Sequence, residues 1–234
     1  MRTAAALAFA LFGAASAGAS ELYTVTRVDA AAEDLRVFWR DDAGVPFRGF
    51  DRLSAWLGTQ GQSLVFAMNA GMYEADSSAV GLLVIAGKEL SPLNLADGPG
   101  NFYLKPNGVF LIGRDGAKVV DALDYGAAAP GVRYATQSGP MLLEAGRISP
   151  AFKPESTSRR VRNGVCVADG RVLFAISNAP VNFHEFAVFF RDELHCRDAL
   201  YLDGVVSGMY SAQPPRDDVG APLGPIFGVV KAQR

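Results

Sequence analysis

Residues 165–176 read Val165-Cys166-Val167-Ala168-Asp169-Gly170-Arg171-Val172-Leu173-Phe174-Ala175-Ile176. Two apolar runs flank an Asp-Gly pair. Asp-Gly suits a tight turn with positive φ, so the stretch predicts a β-hairpin. The same grammar recurs on both sides of it. Residues 82–85 meet Leu90 across Ala86-Gly87-Lys88, and residues 109–112 meet Val119-Val120 across Arg114-Asp115-Gly116. Both predict further hairpins. Residues 22–28 alternate apolar and polar, residues 35–39 form a short run, and residues 63–68 are almost continuously apolar, as in a buried strand. Residues 141–143, 199–202 and 226–230 complete the strand candidates. Helical spacing is confined to two places. Residues 50–57 put Leu53, Trp56 and Leu57 on one face, and residues 183–194 repeat Phe183, Phe186, Ala187, Phe190 and Leu194 at three- and four-residue steps. Asn182 can cap the second helix, with Glu185 completing a capping box. Many strands, few helices and no regular βαβ alternation predict an α+β fold with a mainly antiparallel or mixed sheet. No linker, repeat or low-complexity tract interrupts the chain, so residues 20–234 are expected to form one domain.

The chain opens with Met1-Arg2-Thr3 and continues, to residue 17, as a run of small and apolar residues. Ala15-Ser16-Ala17 and Ala17-Gly18-Ala19 offer small residues at the positions a signal peptidase reads. Residues 1–19 are therefore expected to be a signal peptide, which predicts a periplasmic or secreted protein. The run is short for a bilayer span, so no stable membrane insertion is expected after cleavage. The formal net charge is −2 and no Lys/Arg block appears, which argues against a nucleic-acid partner. The two cysteines, Cys166 and Cys196, admit either a disulfide or two buried thiols.

Several familiar sites are excluded. Gly204-Val205-Val206-Ser207-Gly208 has the wrong spacing for a nucleophile elbow. Residues 81–88 are one residue too long for a phosphate-binding P-loop, and Glu89 follows where Ser or Thr is needed. Position 188 is Val, so His184-Glu185 begins no zinc-protease helix, and two histidines in all preclude a His-rich metal site. What remains is four polar loops, each beside an apolar strand. They are Asn69-Ala70-Gly71-Met72-Tyr73, Ser138-Gly139-Pro140-Met141-Leu142, Ser158-Arg159-Arg160-Val161-Arg162-Asn163-Gly164, and Leu202-Asp203-Gly204-Val205-Val206-Ser207-Gly208. Polar groups on loops held by a rigid sheet are a common way to build a site.

Taken in order, these loops resemble the phosphodiester glycosidase family, whose animal member, the "uncovering enzyme", removes N-acetylglucosamine from a sugar phosphodiester. The likeness runs from about Asn69 to Val230. It implies an α+β fold and a hydrolase that cuts between a sugar's anomeric carbon and a phosphate oxygen. Two departures stand out: Val205-Val206 occupy positions where the family usually has glycines, and Cys166 replaces a small residue. The pocket is therefore expected to be narrower or differently shaped.

Phosphate is a good leaving group, so a single carboxylate with a phosphate clamp could replace the usual carboxylate pair. Asp203 is the candidate carboxylate, to activate water or steady an oxocarbenium-like centre. Arg162 is the candidate clamp, because its planar guanidinium can grip two oxygens. Asn69 completes the catalytic set. Asn163 and Ser207 would orient sugar hydroxyls or water, and Gly204, His184 and Lys105 are further substrate contacts. No cofactor is required, although Asp203 with Asn69 could offer oxygen ligands to Ca²⁺ or Mg²⁺. The expected partner is a glycan or small sugar phosphate. The alternative is a non-catalytic envelope- or glycan-binding module on the same fold, which Val205-Val206 would favour.

Overall fold

A computed structural model describes residues 22–218 and 220–233; the expected signal peptide and the expected start of the domain at residue 20 lie outside these. Along the described chain run strands β1 (Tyr23–Val28), β2 (Asp34–Phe38), β3 (Gln62–Asn69), β4 (Leu83–Ile85), β5 (Lys88–Ser91), β6 (Gly108–Gly113), β7 (Gly116–Asp121), β8 (Val132–Ser138), β9 (Met141–Glu144), β10 (Arg147–Ile148), β11 (Asn163–Ala168), β12 (Arg171–Ser177), β13 (Ala199–Asp203), β14 (Met209–Ser211), β15 (Arg216–Asp217) and β16 (Ile226–Ala232). The helices are α1 (Phe50–Thr59), the single turn α2 (Tyr125–Ala128) and α3 (Phe183–Val188).

The strands form three sheets in the orders β1-β12-β11-β13-β9-β10, β15-β14-β3-β16-β2 and β5-β4-β8-β6-β7. Every pairing between them is antiparallel, so the expected α+β class holds without the mixed component. The 165–176 hairpin forms as read. Asp169 (φ 50°) and Gly170 (φ 72°) make its turn, and Val167 faces Val172 across it. Ala86 and Gly87 repeat the device with φ of 51° and 80°. The second predicted helix is α-helical only to Val188 and continues as a π turn over Phe189–Glu193. Its capping box forms: Asn182 Oδ1 accepts from the Glu185 N–H, and Glu185 accepts from the Asn182 N–H.

One core sits between all three sheets. At its centre the rings of Phe66 (β3), Phe110 (β6), Phe174 (β12) and Phe227 (β16) meet with centroids 5.1–6.0 Å apart. Strand alternation decides which residues reach it. On β12, Val172, Phe174 and Ile176 face this centre, while Leu173 and Ala175 face α3. On β13, Leu200 and Leu202 face the centre, while Ala199 and Tyr201 join the layer under α3. Helix α1 seals the outer face of the second sheet with Phe50, Leu53 and Leu57.

Of the two readings left open for the cysteines, the disulfide is the one that forms. Cys166 of β11 is bonded to Cys196, just beyond the π turn, closing a loop of sequence separation 30. Both residues are buried. The bond ties the far end of the α3 segment to the strand that follows Arg162. Replacing both cysteines by alanine should cost about 3 kcal/mol, since a loop of this length otherwise adds entropy to the unfolded chain. Urea unfolding of the oxidised protein and the double variant would measure it.

Candidate active site at three strand ends

Asn69 ends β3, Asn163 begins β11 and Asp203 ends β13. Their side chains meet. Asn163 Nδ2 donates to Asn69 Oδ1 at 2.5 Å, and Asn163 Oδ1 accepts from the Asp203 backbone N–H at 3.0 Å. Asn69 Oδ1 also accepts from the Gly208 N–H at 3.0 Å. Ser207 Oγ lies 2.8 Å from the Asp203 carbonyl and 3.1 Å from that of Val161. Asn69, Asn163, Ser207 and the Asp203 backbone thus form one buried knot that joins the first sheet to the second. Asn69 Nδ2 is buried there without a hydrogen-bond partner among the described residues. Because Asn69 Oδ1 faces two N–H donors, it has little left to offer a cation. No group of three or more His, Cys, Asp or Glu stands together among the described residues.

The Asp203 carboxylate is held from its own loop. Oδ1 accepts from the backbone N–H groups of Gly204 (2.6 Å), Val205 (2.8 Å) and Val206 (3.3 Å). Burial nonetheless wins: it pushes the Asp203 pKa above its ordinary value, against the lowering by those three N–H donors. Its charge in turn raises the hydroxyl pKa values of Tyr73 and Tyr201, each already raised more by burial.

Arg162 lies at 1% exposure beneath this loop. Its Nε donates to the Val181 carbonyl (2.9 Å), Nη2 to the Ser158 carbonyl (2.9 Å) and Nη1 to Tyr201 Oη (3.2 Å). Its guanidinium stacks 3.8 Å from the centroid of Phe183. No carboxylate pairs with it among the described residues. Burial therefore lowers its pKa, partly offset by Tyr201. The nearby Asn101 side chain lowers the Tyr201 pKa slightly. Gly204 makes this stack possible: a Cβ there would stand 2.1 Å from Tyr201 Oη and 3.3 Å from Arg162 Nη1.

Above the carboxylate opens a cavity of about 430 Å³, walled by Asp203, Val205, Val206, Tyr73, Asn101 and Phe102 among others. Tyr73 closes one side by donating to the Pro222 carbonyl. Val205 is 86% exposed and stands at the rim, so it reshapes the mouth without filling the interior.

The predicted residues separate into three groups. Asp203, Asn69, Asn163, Ser207 and Gly204 converge. Arg162 is present but shielded: it donates to Tyr201, which is itself fully buried, and neither lines the cavity. His184 and Lys105 are not among the cavity's lining residues. His184 sits on the first turn of α3, and Lys105 Nζ donates to the carbonyls of Leu95 (3.2 Å) and Ala96 (3.1 Å), pinning the loop that leads to the wall. Sequence reading missed Tyr201, Asn101 and Phe183 as members of the site. The one signal for Tyr201 was its place two residues before Asp203, on the same face of β13.

Three comparisons bear on this geometry. The family profile described as phosphodiester glycosidase matches residues 62–230. The uncharacterized Escherichia coli protein YigE is 36% identical over 184 residues, covering 78% of this chain and 72% of its own. Among solved structures, the catalytic domain of zebrafish N-acetylglucosamine-1-phosphodiester alpha-N-acetylglucosaminidase, auto-inhibited by its pro-peptide, aligns with a TM-score of 0.55 and 14% identity over 89% of this chain and 88% of that one. A Burkholderia pseudomallei protein described as exported aligns with a TM-score of 0.56 and 12% identity over 88% and 73%. At these identities the two structures show likeness of fold.

Proposed function

The chain belongs to the phosphodiester glycosidase family, and from that premise we propose that it is an exported hydrolase that cleaves a glycosyl phosphodiester between the anomeric carbon and the phosphate oxygen. The observation that carries this reading is Asp203. It is a buried carboxylate with one oxygen fixed by three backbone N–H groups, at the floor of a cavity and above a buried cation. In the proposed reaction the sugar's C1–O bond breaks and the electron pair leaves with the phosphate. The ionised Asp203 steadies the positive charge growing at C1 or activates the incoming water. Water supplies hydroxyl to C1, and its proton ends on the released phosphate monoester. From beneath the cavity wall, where both are buried, Arg162 and Tyr201 lend positive potential to the charge that develops on phosphate. Arg162 has no acceptor sites, so it donates to Tyr201 Oη and leaves the tyrosine proton free to point elsewhere. The raised Tyr201 pKa keeps that proton in place. A donor backed by a buried cation in a low-dielectric setting is well suited to a developing oxyanion. Tyr73 and Phe102 give the sugar apolar faces to lie on. No described helix is long and apolar enough to cross a membrane, and the export assignment rests on the leader.

Two measurements test the reading. Hydrolysis of a glycosyl phosphodiester in isotope-labelled water should place the label on the sugar; label on the phosphate would mean that water attacks phosphorus and a P–O bond breaks, and would sink it. The pH profile of kcat/KM should fall on its acid side at a pH above the ordinary carboxylate value of about 4, because burial raises the Asp203 pKa and the ionised form is required. A rate that instead rises with acid through this range would reassign Asp203 as a proton donor.

A further inference from the structure

We infer that Asn69 and Asn163 act as a positioning pair, which holds the Asp203 carboxylate in place against the Tyr73 wall without touching substrate; this rests on the reading that Asp203 acts on a glycosyl phosphodiester. The two sides of the cavity hang from different sheets. Asp203 ends β13 of the first sheet, while Tyr73 stands in the loop that follows β3 of the second. β13 and β3 are not strand neighbours, so no backbone ladder sets the distance between them. The amide pair does. Both residues are 0% exposed, and neither lines the cavity. Asn163 Oδ1 holds the start of the carboxylate loop through the Asp203 N–H, and Asn69 Oδ1 holds its end through the Gly208 N–H. Asn163 Nδ2 joins one amide to the other. The anchor sits where the ladder slips. Asn163 lies opposite Asp203 but Gly164 lies opposite Tyr201, so Leu202 is an extra residue on β13. A bulge of this kind bends its strand and disrupts the ladder. Here the Asp203 N–H is taken up by the Asn163 side chain instead. The amide at position 69 is itself informative. Its Nδ2 is buried and has no hydrogen-bond partner among the described residues, which is unfavourable. An aspartate would accept the same two N–H groups and strand no donor. It would also place a second negative charge behind Asp203, and the neutral amide avoids that.

The test measures kcat, KM and thermal unfolding for Asn69→Ala, Asn163→Ala and the double variant on a glycosyl phosphodiester, each assayed well below its melting temperature. Each single variant should lower kcat about a hundredfold, the scale of a displacement of about 1 Å at a reacting group. The double variant should lose about as much as either single one, because the two amides act as one unit. Asn69→Asp supplies a readout that packing alone would not move. It keeps both accepted bonds, so the loop stays anchored. Around the Asp203 carboxylate stand Tyr73 and Glu74 from the β3 side and Tyr201 with Arg162 from beneath. A carboxylate at position 69 adds a like charge to that set and opposes the ionisation of Asp203. The acid side of the kcat/KM profile should therefore move to higher pH. Single variants with parental kcat, losses that multiply in the double variant, or an acid side that Asn69→Asp leaves in place would each overturn the positioning role while the hydrolase reading stands. A wild-type protein that cleaves no glycosyl phosphodiester would overturn both.

Discussion

Asp203→Asn should lower kcat/KM about a thousandfold, in the middle of the range for removing a positioned acid–base group, and yet the variant should unfold at the same temperature as the parent or higher at neutral pH. The two halves come from the same geometry. Asn keeps a side-chain oxygen that can accept the N–H groups of Gly204, Val205 and Val206, so the loop retains its anchor. What it removes is the charge, and in the folded protein that charge is desolvated. The folded pKa of Asp203 is raised above the unfolded value. As pH climbs past the ordinary carboxylate range, the unfolded chain releases this proton first. The stability the protonated group contributes is then lost progressively until the folded pKa has been passed. Above the folded pKa the wild-type chain has lost all of it. The Asn variant should therefore show a flatter stability curve across the acidic range, measured by thermal unfolding at a series of pH values. A variant with near-parental activity would remove Asp203 from the chemistry. A clear fall in its melting temperature would mean that the carboxylate is held for structure.

Much of this frame could be read from residue order because apolar alternation and turn residues are local signals. The Asp169-Gly170 and Ala86-Gly87 turns and the Asn182–Glu185 box were each legible within a few residues. Strand β8 was not. Its C-terminal half is Thr136-Gln137-Ser138, which looks like a loop, yet all three are buried. Gln137 is satisfied at long range: Oε1 accepts from the Leu82 and Asn94 N–H groups, and Nε2 donates to the Asn94 carbonyl and Asn107 Oδ1. Ser138 donates to the Leu202 carbonyl. A buried polar strand with distant partners leaves no periodic trace. The site divides along the same line. Asp203, Asn69, Asn163 and Ser207 stand on loops after or before apolar runs, which singled them out. Tyr201 sits inside such a run and reads as core. Its role appears only when α3 lays Phe183 over Arg162 and the guanidinium is turned onto the tyrosine hydroxyl. In the proposed reaction the clamp expected of Arg162 alone would be shared with Tyr201, a neighbour that its own sequence surroundings do not reveal.

That sharing gives the second large effect. Gly204→Ala places a methyl group where Tyr201 Oη now stands, 2.1 Å from it, with Arg162 Nη1 at 3.3 Å. Neither ring nor guanidinium has space to retreat, since Phe183 packs against Arg162 on one side and edge-on against Tyr201, 4.8 Å between ring centroids, on the other. The substitution should cost about 1–3 kcal/mol as overpacking and should break the Arg162–Tyr201 bond. Tyr201→Phe should cost about 1.5–3 kcal/mol by a different route, leaving a buried Arg162 N–H without its acceptor. The double variant is the informative one. With the hydroxyl gone, the alanine methyl occupies vacated space, so the combined loss should fall short of the sum by about 0.5–3 kcal/mol. Denaturant unfolding of the four proteins would close the cycle. Activity adds a readout that packing alone would not move. If Tyr201 conveys the cation to the phosphate, Tyr201→Phe should slow hydrolysis of a glycosyl phosphodiester far more than that of the same glycosyl fluoride, whose leaving group offers no phosphate oxygens. Additive stabilities would mean that Gly204 is small for some reason other than the hydroxyl, and equal slowing of both substrates would reduce Tyr201 to a packing residue.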